Sequence, residues 1–98
     1  MNITIQAVHF DADIKLKELI REKLSNLVRF YNEILNVDVF LKLENSGQVK
    51  DKIVELKANI PGKSIVVTST GKSFESSLDE AHDIIIRQLK RHKEKMRA

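Results

Sequence analysis

Apolar and polar residues alternate in four stretches of the chain, and each stretch predicts a β-strand with one buried side. Turn residues separate the later stretches: Asn45-Ser46-Gly47, Pro61-Gly62 and Gly71-Lys72. The four predicted strands are Asn2 to Ala7, Val37 to Glu44, Val54 to Ile60 and Ser64 to Thr70. In the fourth, the favoured inward pair is Ile65 and Val67, and the alternative pair is Val66 and Thr68.

Two further stretches repeat with the spacing of an α-helix. Asp13 is the expected N-cap of the first, because a short carboxylate accepts hydrogen bonds from the free amides of a first turn. Its predicted apolar stripe is Leu16, Ile20, Leu24, Leu27 and Tyr31, and this helical region ends at Asn36.

The second helix is predicted from Ser73, its expected cap, to Arg97. Its core-facing residues fall within a sector about 80° wide on a helical projection. They are Phe74, Leu78, Ala81, Ile85, Leu89, His92 and Met96.

The element order β-α-β-β-β-α restricts the architecture. A strand, a helix and a strand in one sheet form a right-handed crossover with parallel strands, and short connections make antiparallel hairpins. The predicted fold is therefore α+β: a two-layer sandwich with a four-stranded mixed sheet in the order 1-2-3-4. Both helices pack on one face, because each strand is apolar on one side only.

Positive charge is concentrated at the end of the second helix. Residues 87 to 97 hold six basic residues and one acid, a net charge of +5, whereas the other 11 basic and 13 acidic residues give −2. The first helical region is also basic, at +3, through Lys15, Lys17, Arg21, Lys23 and Arg29 against Glu18 and Glu22. Such a surface suits a polyanion, because each neutralised phosphate releases counterions. The alternatives are a solvated helix face, a membrane surface or an acidic protein.

Composition limits the other possibilities. With 98 residues and 42% hydrophobic content, the chain is expected to form one domain, residues 1–98. The chain lacks cysteine, which excludes disulfides and thiolate metal sites. It has no signal-peptide pattern and no apolar run long enough to span a membrane, so a cytoplasmic location without membrane contact is expected.

Catalytic chemistry finds little support. His82 lies beside Asp79 and Asp83 in sequence, which allows a metal site or an acid–base pair, but an ordinary exposed helix face has the same composition. No catalytic residue, metal or cofactor is predicted. Phe40 is the only aromatic residue in a predicted strand, which argues against recognition of RNA bases by stacking on the sheet.

Three segments resemble one known family, the ribosome hibernation promoting factors, also called the ribosome-associated inhibitor or protein Y family. These segments are 16–24 in the first helix, 36–44 in the second strand and the Arg-Gln-Leu-Lys-Arg-His-Lys-Glu-Lys run at 87–95. Two positions depart from the family pattern: Ile84 stands where relatives usually have lysine, and Glu75 where they commonly have an aromatic residue.

The resemblance implies a domain similar in shape to double-stranded-RNA-binding domains. It also implies a non-enzymatic factor that occupies the mRNA and tRNA channel of the small ribosomal subunit and inhibits translation in stationary phase or starvation. The implied rRNA contacts are Arg87, Lys90, Arg91, Lys93 and Lys95, followed by Lys23 and Arg29. The chain is expected to be a short form, monomeric off the ribosome, that would need a separate factor for ribosome dimerisation. Two alternatives stay open: a general double-stranded-RNA-binding module, and a small enzyme using His82.

Overall fold

The computed structural model describes residues 1–46 and 49–97, and it has the predicted architecture. Its strands pair in the order β1-β2-β3-β4, with β1 parallel to β2 and the other pairs antiparallel. The elements in chain order are β1 Asn2–Ala7, α1 Ile14–Leu24, a 3₁₀ segment Ser25–Arg29, β2 Asn36–Ser46, β3 Val49–Ile60, β4 Lys63–Gly71 and α2 Phe74–Arg97. The predicted turn Asn45-Ser46-Gly47 is wrong for its first two residues, which belong to β2, and Gly47 lies outside the described residues. The predicted start of the third strand at Val54 is also wrong, because β3 begins at Val49.

The sheet buries one face and leaves the other open. In β4, Ile65 and Val67 are buried whereas Val66 is 56% exposed, so the favoured inward pair is confirmed. The β3–β4 turn is Pro61-Gly62, and Gly62 has a φ of 84°, a conformation that glycine adopts without steric cost. This tight turn pairs Ile60 with Lys63 and fixes the β4 register.

Helix α1 is shorter than predicted. Asp13 caps it as expected, its carboxylate accepting from the Lys15 amide at 3.0 Å. The α-helix ends at Leu24, and the chain continues as the tighter 3₁₀ segment. The Ser25 hydroxyl donates to the Glu22 carbonyl at 2.8 Å, the group that a continuing α-helix would offer to the next amide. The predicted helix to Asn36 is therefore wrong, although Leu27 is buried as expected.

Helix α2 begins at the predicted cap, where the Ser73 hydroxyl accepts from the Ser76 amide at 3.1 Å. Its central stripe is completely buried and consists of Leu78, Ala81, Ile85 and Leu89. The stripe stops there: Met96 is 68% exposed, so the prediction that it faces the core is wrong. In the last turns of α2, Lys95 and Met96 are exposed, whereas His92 is half-buried. Neither described helix is apolar over the length that crossing a bilayer requires.

A hydrogen bond to the sheet also holds the start of α2 in place. Ser77 is fully buried, and its hydroxyl donates to the Lys52 carbonyl of β3 at 2.7 Å. Gly71 permits this approach, because a Cβ there would lie 2.8 Å from the Ser76 and Ser77 hydroxyl oxygens. The direction of α2 is thus set both by its apolar stripe and by a hydrogen bond to the sheet.

Two substitutions on α2 should separate its buried and exposed sides. Leu89→Ala should lower the free energy of unfolding by about 2–5 kcal/mol, because it leaves a cavity in the core. Arg91→Ala should change it by less than about 0.5 kcal/mol, since that side chain is exposed. Urea denaturation of both variants measures the difference. Equal destabilisation would contradict the assignment of the two sides.

Candidate nucleic-acid interface

The charge of α2 is segregated along its length. Acidic residues occupy its first half, and the cations follow from Arg87. This order agrees with the helix dipole, which favours negative charge at the N-terminus and positive charge at the C-terminus. The acidic residues of the first half are Glu75, Asp79, Glu80 and Asp83, and Glu94 is the one acid of the cationic half. The cationic end therefore lies more than one turn away from most of the acids that could neutralise it.

On one side, the cationic end meets the 3₁₀ segment and forms a depression that we call the Phe30 cleft. Its volume is about 270 Å³, and its lining residues are Arg29, Phe30, Lys90, Lys93 and Glu94. The Lys90 ammonium lies over the Phe30 ring, 5.2 Å from its centroid. A cation–π contact of this kind stabilises an exposed lysine by about 0.5–1 kcal/mol. Three cations from two elements thus surround one depression.

On the other side, α2 meets the start of β4 in a smaller depression that we call the Lys63 groove. Its volume is about 60 Å³, and its lining residues are Lys63, Ile65, Gln88, Arg91, His92 and Lys95. His92 is half-buried and packs edge-to-face against Tyr31, with ring centroids 5.3 Å apart. His92 therefore anchors the helix where the apolar stripe ends.

The predicted contact residues fall into separate groups. Lys90 and Lys93 join Arg29 in the Phe30 cleft, whereas Arg91 and Lys95 line the Lys63 groove. Arg87 lines neither depression. It is exposed on the ridge between them, one turn before Lys90 and Arg91. The structure therefore divides the basic run into two flanks and a ridge.

Lys23 differs from the other predicted contacts because it is already paired. Its ammonium forms an ion pair with the Asp79 carboxylate of α2. The neighbouring cation Arg21 is also engaged, since its guanidinium donates to the Ile3 carbonyl at 2.8 Å. Two cations of α1 thus hold the fold together, and Lys23 would have to leave Asp79 to contact a phosphate.

The structure corrects the interpretation of His82 as part of an exposed face. His82 is only 7% exposed, and its Nε2 lies 3.0 Å from the Asn26 side-chain oxygen of the 3₁₀ segment. Burial, together with the nearby Lys23 ammonium, lowers the pKa of His82. A neutral imidazole that donates to Asn26 joins the two helical elements. Among the described residues, no three acidic, histidine or cysteine side chains converge as a metal site would require.

Sequence reasoning missed Lys63 and Phe30. Lys63 is an isolated cation after a turn, and only the packing of α2 on β4 brings it beside Arg91 and Lys95. Phe30 lies between Leu27 and Tyr31 of the predicted stripe and was not assigned to it. Its position one residue after Arg29 was the available clue, because an aromatic ring beside a cation is a common feature of nucleic-acid-binding surfaces.

Comparison with known proteins gives consistent results. The model of the family described as sigma 54 modulation protein / S30EA ribosomal protein matches residues 3–97. A ribosome hibernation promoting factor of Pseudomonas putida is 31% identical over 98 residues, which are 100% of this chain and 92% of that protein. One of Azotobacter vinelandii is 30% identical over 95 residues, covering 97% of this chain and 85% of that protein.

Solved structures share the fold. A ribosomal subunit interface protein from Coxiella burnetii has a TM-score of 0.83 and 22% identity, covering 95% of this chain and 98% of that chain. The N-terminal domain of Thermus thermophilus protein Y has a TM-score of 0.81 and 22% identity, covering 94% of this chain and 99% of that chain.

The buried His82 should make stability depend on pH. Its pKa is lower in the folded protein than the ordinary value of about 6.5, so the unfolded chain takes up a proton first as the pH falls. Stability that is present above pH 6.5 should therefore be lost as the pH falls below it. Thermal melts should show that the melting temperature falls less between pH 7.5 and pH 5.5 for His82→Gln than for the wild type.

Exposed His9 provides the matched control. The melting temperature of His9→Asn should fall between the two pH values as much as that of the wild type. Asparagine tolerates the positive φ of 63° at that position. An equal decline in His82→Gln and the wild type would contradict the assignment to His82.

Proposed function

The chain belongs to the family described as sigma 54 modulation protein / S30EA ribosomal protein, and we propose from this membership that it is a ribosome hibernation factor. In this proposal it binds the rRNA of the small ribosomal subunit in the channel that mRNA and tRNA would occupy. Translation is inhibited because the channel is filled, and no catalytic step is needed. The proposed location is the cytoplasm, and residues 1–98 act as one ribosome-binding domain.

The observation that carries the proposal is the two-sided cationic end of α2. Cations on both flanks can contact backbone phosphates on two sides of a narrow space, which a basic face on one side of a helix could not do. Backbone contacts position a protein without reading sequence, and they suit a binder of folded RNA. The residues proposed to contact rRNA are Arg29, Lys63, Arg87, Lys90, Arg91, Lys93 and Lys95, with Lys23 after release from Asp79.

The open face of the sheet contributes little to this binding surface. It carries Asp38, which accepts from the Asn36 and Asn59 side-chain amides at 3.3 and 3.1 Å. It also carries an ion pair between Lys42 and Glu55 at 3.7 Å. Polar groups that are satisfied by one another, acids among them, are a poor surface for a polyanion. The helical side is therefore the side proposed to face rRNA.

A general double-stranded-RNA-binding module is the second candidate, because phosphate contacts alone do not require a ribosome. Cosedimentation with purified small subunits in the presence of excess competitor duplex RNA separates the two. Retention on the subunits supports the ribosomal site, and complete displacement supports the general module. In the ribosomal proposal, the protein is a monomer off the ribosome, and a separate dimerising factor would pair the idle ribosomes.

Occupancy of the channel predicts competition. Affinity should be high for vacant small subunits and at least about tenfold lower for subunits preloaded with mRNA and initiator tRNA, because both ligands need the same space. Fluorescence anisotropy of labelled protein, at matched magnesium and salt, measures both values. Equal affinities would contradict occlusion of the channel.

The phosphate contacts predict the salt dependence. Each single replacement Lys63→Gln, Lys90→Gln or Arg91→Gln should weaken subunit binding and reduce the slope of log affinity against log salt by about 0.7–0.9. The control is Lys42→Gln on the open sheet face, which should leave the slope unchanged. Unchanged slopes in the three helical-side variants would show that these cations do not contact phosphate.

A further inference from the structure

The Phe30 cleft combines features that a simple phosphate site does not need. Resting on the proposed function, we propose that it is a subsite for one ribonucleotide of the RNA backbone. The three cations of the cleft bind the phosphate, and the Glu94 carboxylate accepts a hydrogen bond from the ribose 2′-hydroxyl. The cleft thereby distinguishes RNA from nucleic acids that lack this hydroxyl.

The cations of the cleft form an anion site because separate elements hold them together. Arg29 ends the 3₁₀ segment, whereas Lys90 and Lys93 project from α2. Like charges that line one depression repel each other, and a bound phosphate removes this repulsion. Arg29 also supplies a planar donor group that matches two phosphate oxygens at once.

Phe30 acts in this subsite as a positioning residue for Lys90. The Phe30 amide donates to the Leu27 carbonyl at 3.0 Å, which holds the ring at the end of the 3₁₀ segment. Because its ammonium lies over that ring, the Lys90 side chain stays in the cleft and samples fewer rotamers than a lysine free in solvent. A restricted lysine loses less conformational entropy when it binds a phosphate.

Glu94 is the feature that indicates a ribose. A carboxylate beside three cations weakens phosphate binding, and among the described side chains Glu94 forms no ion pair that would explain its presence. An ionised carboxylate only accepts hydrogen bonds, so its partner must be a donor. In an RNA backbone, the donor nearest to a phosphate is the 2′-hydroxyl, the group by which proteins distinguish RNA from DNA.

The opposite flank provides an internal comparison. The Lys63 groove is lined by cations, a histidine, a glutamine and an isoleucine, without an acid. It therefore offers phosphate contacts but no carboxylate for a ribose. Of the two depressions, the Phe30 cleft is the one that should respond to the sugar.

The first test compares an RNA hairpin with its fully 2′-fluoro counterpart, which keeps the A-form shape but has no hydroxyl donor. The wild type should bind the RNA hairpin about threefold to tenfold more tightly than the 2′-fluoro hairpin. In Glu94→Ala this ratio should fall toward one. Glu80→Ala, which removes the same charge from the acidic half of α2, should keep the wild-type ratio.

The outcomes separate the subsite from the proposed function. If Glu94→Ala binds both hairpins more tightly by the same factor, Glu94 is only a repulsive charge and the subsite is overturned. The subsite alone is also overturned if the wild type cosediments with small subunits yet does not distinguish the hairpins. A Glu94-dependent preference for the RNA hairpin without cosedimentation supports the subsite and overturns the ribosomal proposal.

A second test addresses the positioning role of Phe30. Phe30→Leu and Lys90→Gln should each weaken binding of the RNA hairpin severalfold, but the double variant should bind no more weakly than Lys90→Gln alone. In the control pair, the affinity losses of Phe30→Leu and Lys95→Gln should multiply in the double variant, because Lys95 lies on the opposite flank. Multiplicative effects in both pairs would overturn the positioning role.

Discussion

The structure depends on the burial of one apolar stripe of α2 against the sheet. Leu78, Ala81, Ile85 and Leu89 have no exposed surface, and this burial is the main contribution that fixes the helix. Because an α-helix is stiff, the buried turns also set the direction of the last two turns, in which His92 adds a contact with Tyr31. Met96, at 68% exposure, shows how far the helix has left the core by that point. The orientation of the cations is therefore determined in the hydrophobic core, at residues that no ligand would touch.

Segregation of charge along α2 lets the same helix be a structural element and, in the proposed function, a binding element. Its acidic half faces the end of α1, where Asp79 pairs with Lys23 and where His82 meets Asn26. Its basic half extends beyond these partners. If acids and bases alternated along α2, pairs one turn apart would neutralise each other, and the helix would offer a polyanion little net charge. The division keeps the stabilising pairs and the cations proposed to bind rRNA apart.

The sequence predicted the four strands and their inward sides because apolar and polar residues alternate, as Ile65 and Val67 show. It did not predict how far the β2–β3 hairpin extends, since β2 continues to Ser46 and β3 begins at Val49. It also predicted the strand order, which follows from connection lengths. It failed at two places for different reasons. The end of α1 depends on a local contact that periodicity does not show, the hydrogen bond from the Ser25 hydroxyl to the Glu22 carbonyl. The burial of His82 depends on a distant contact, because its partner Asn26 is 56 positions away. Lys63 carried no signal of its own, because its place beside Arg91 is created by the packing of α2 on β4.

A basic tail without structure would also release counterions from RNA, so charge alone does not explain why these cations are carried by a fold. The arrangement of the cations in space gives the reason. Arg29 comes from the 3₁₀ segment, Lys63 from β4 and the remaining cations from α2, and only tertiary packing brings the cations of each depression together. Side chains held on rigid elements lose less entropy on binding than those of a flexible tail. In the proposed function, placement on two flanks also selects for shape, because both sets of cations bind only where phosphates lie on both sides of the helix. A protein of this design would favour a channel bordered by rRNA backbone over an isolated strand, and its preference would come from geometry.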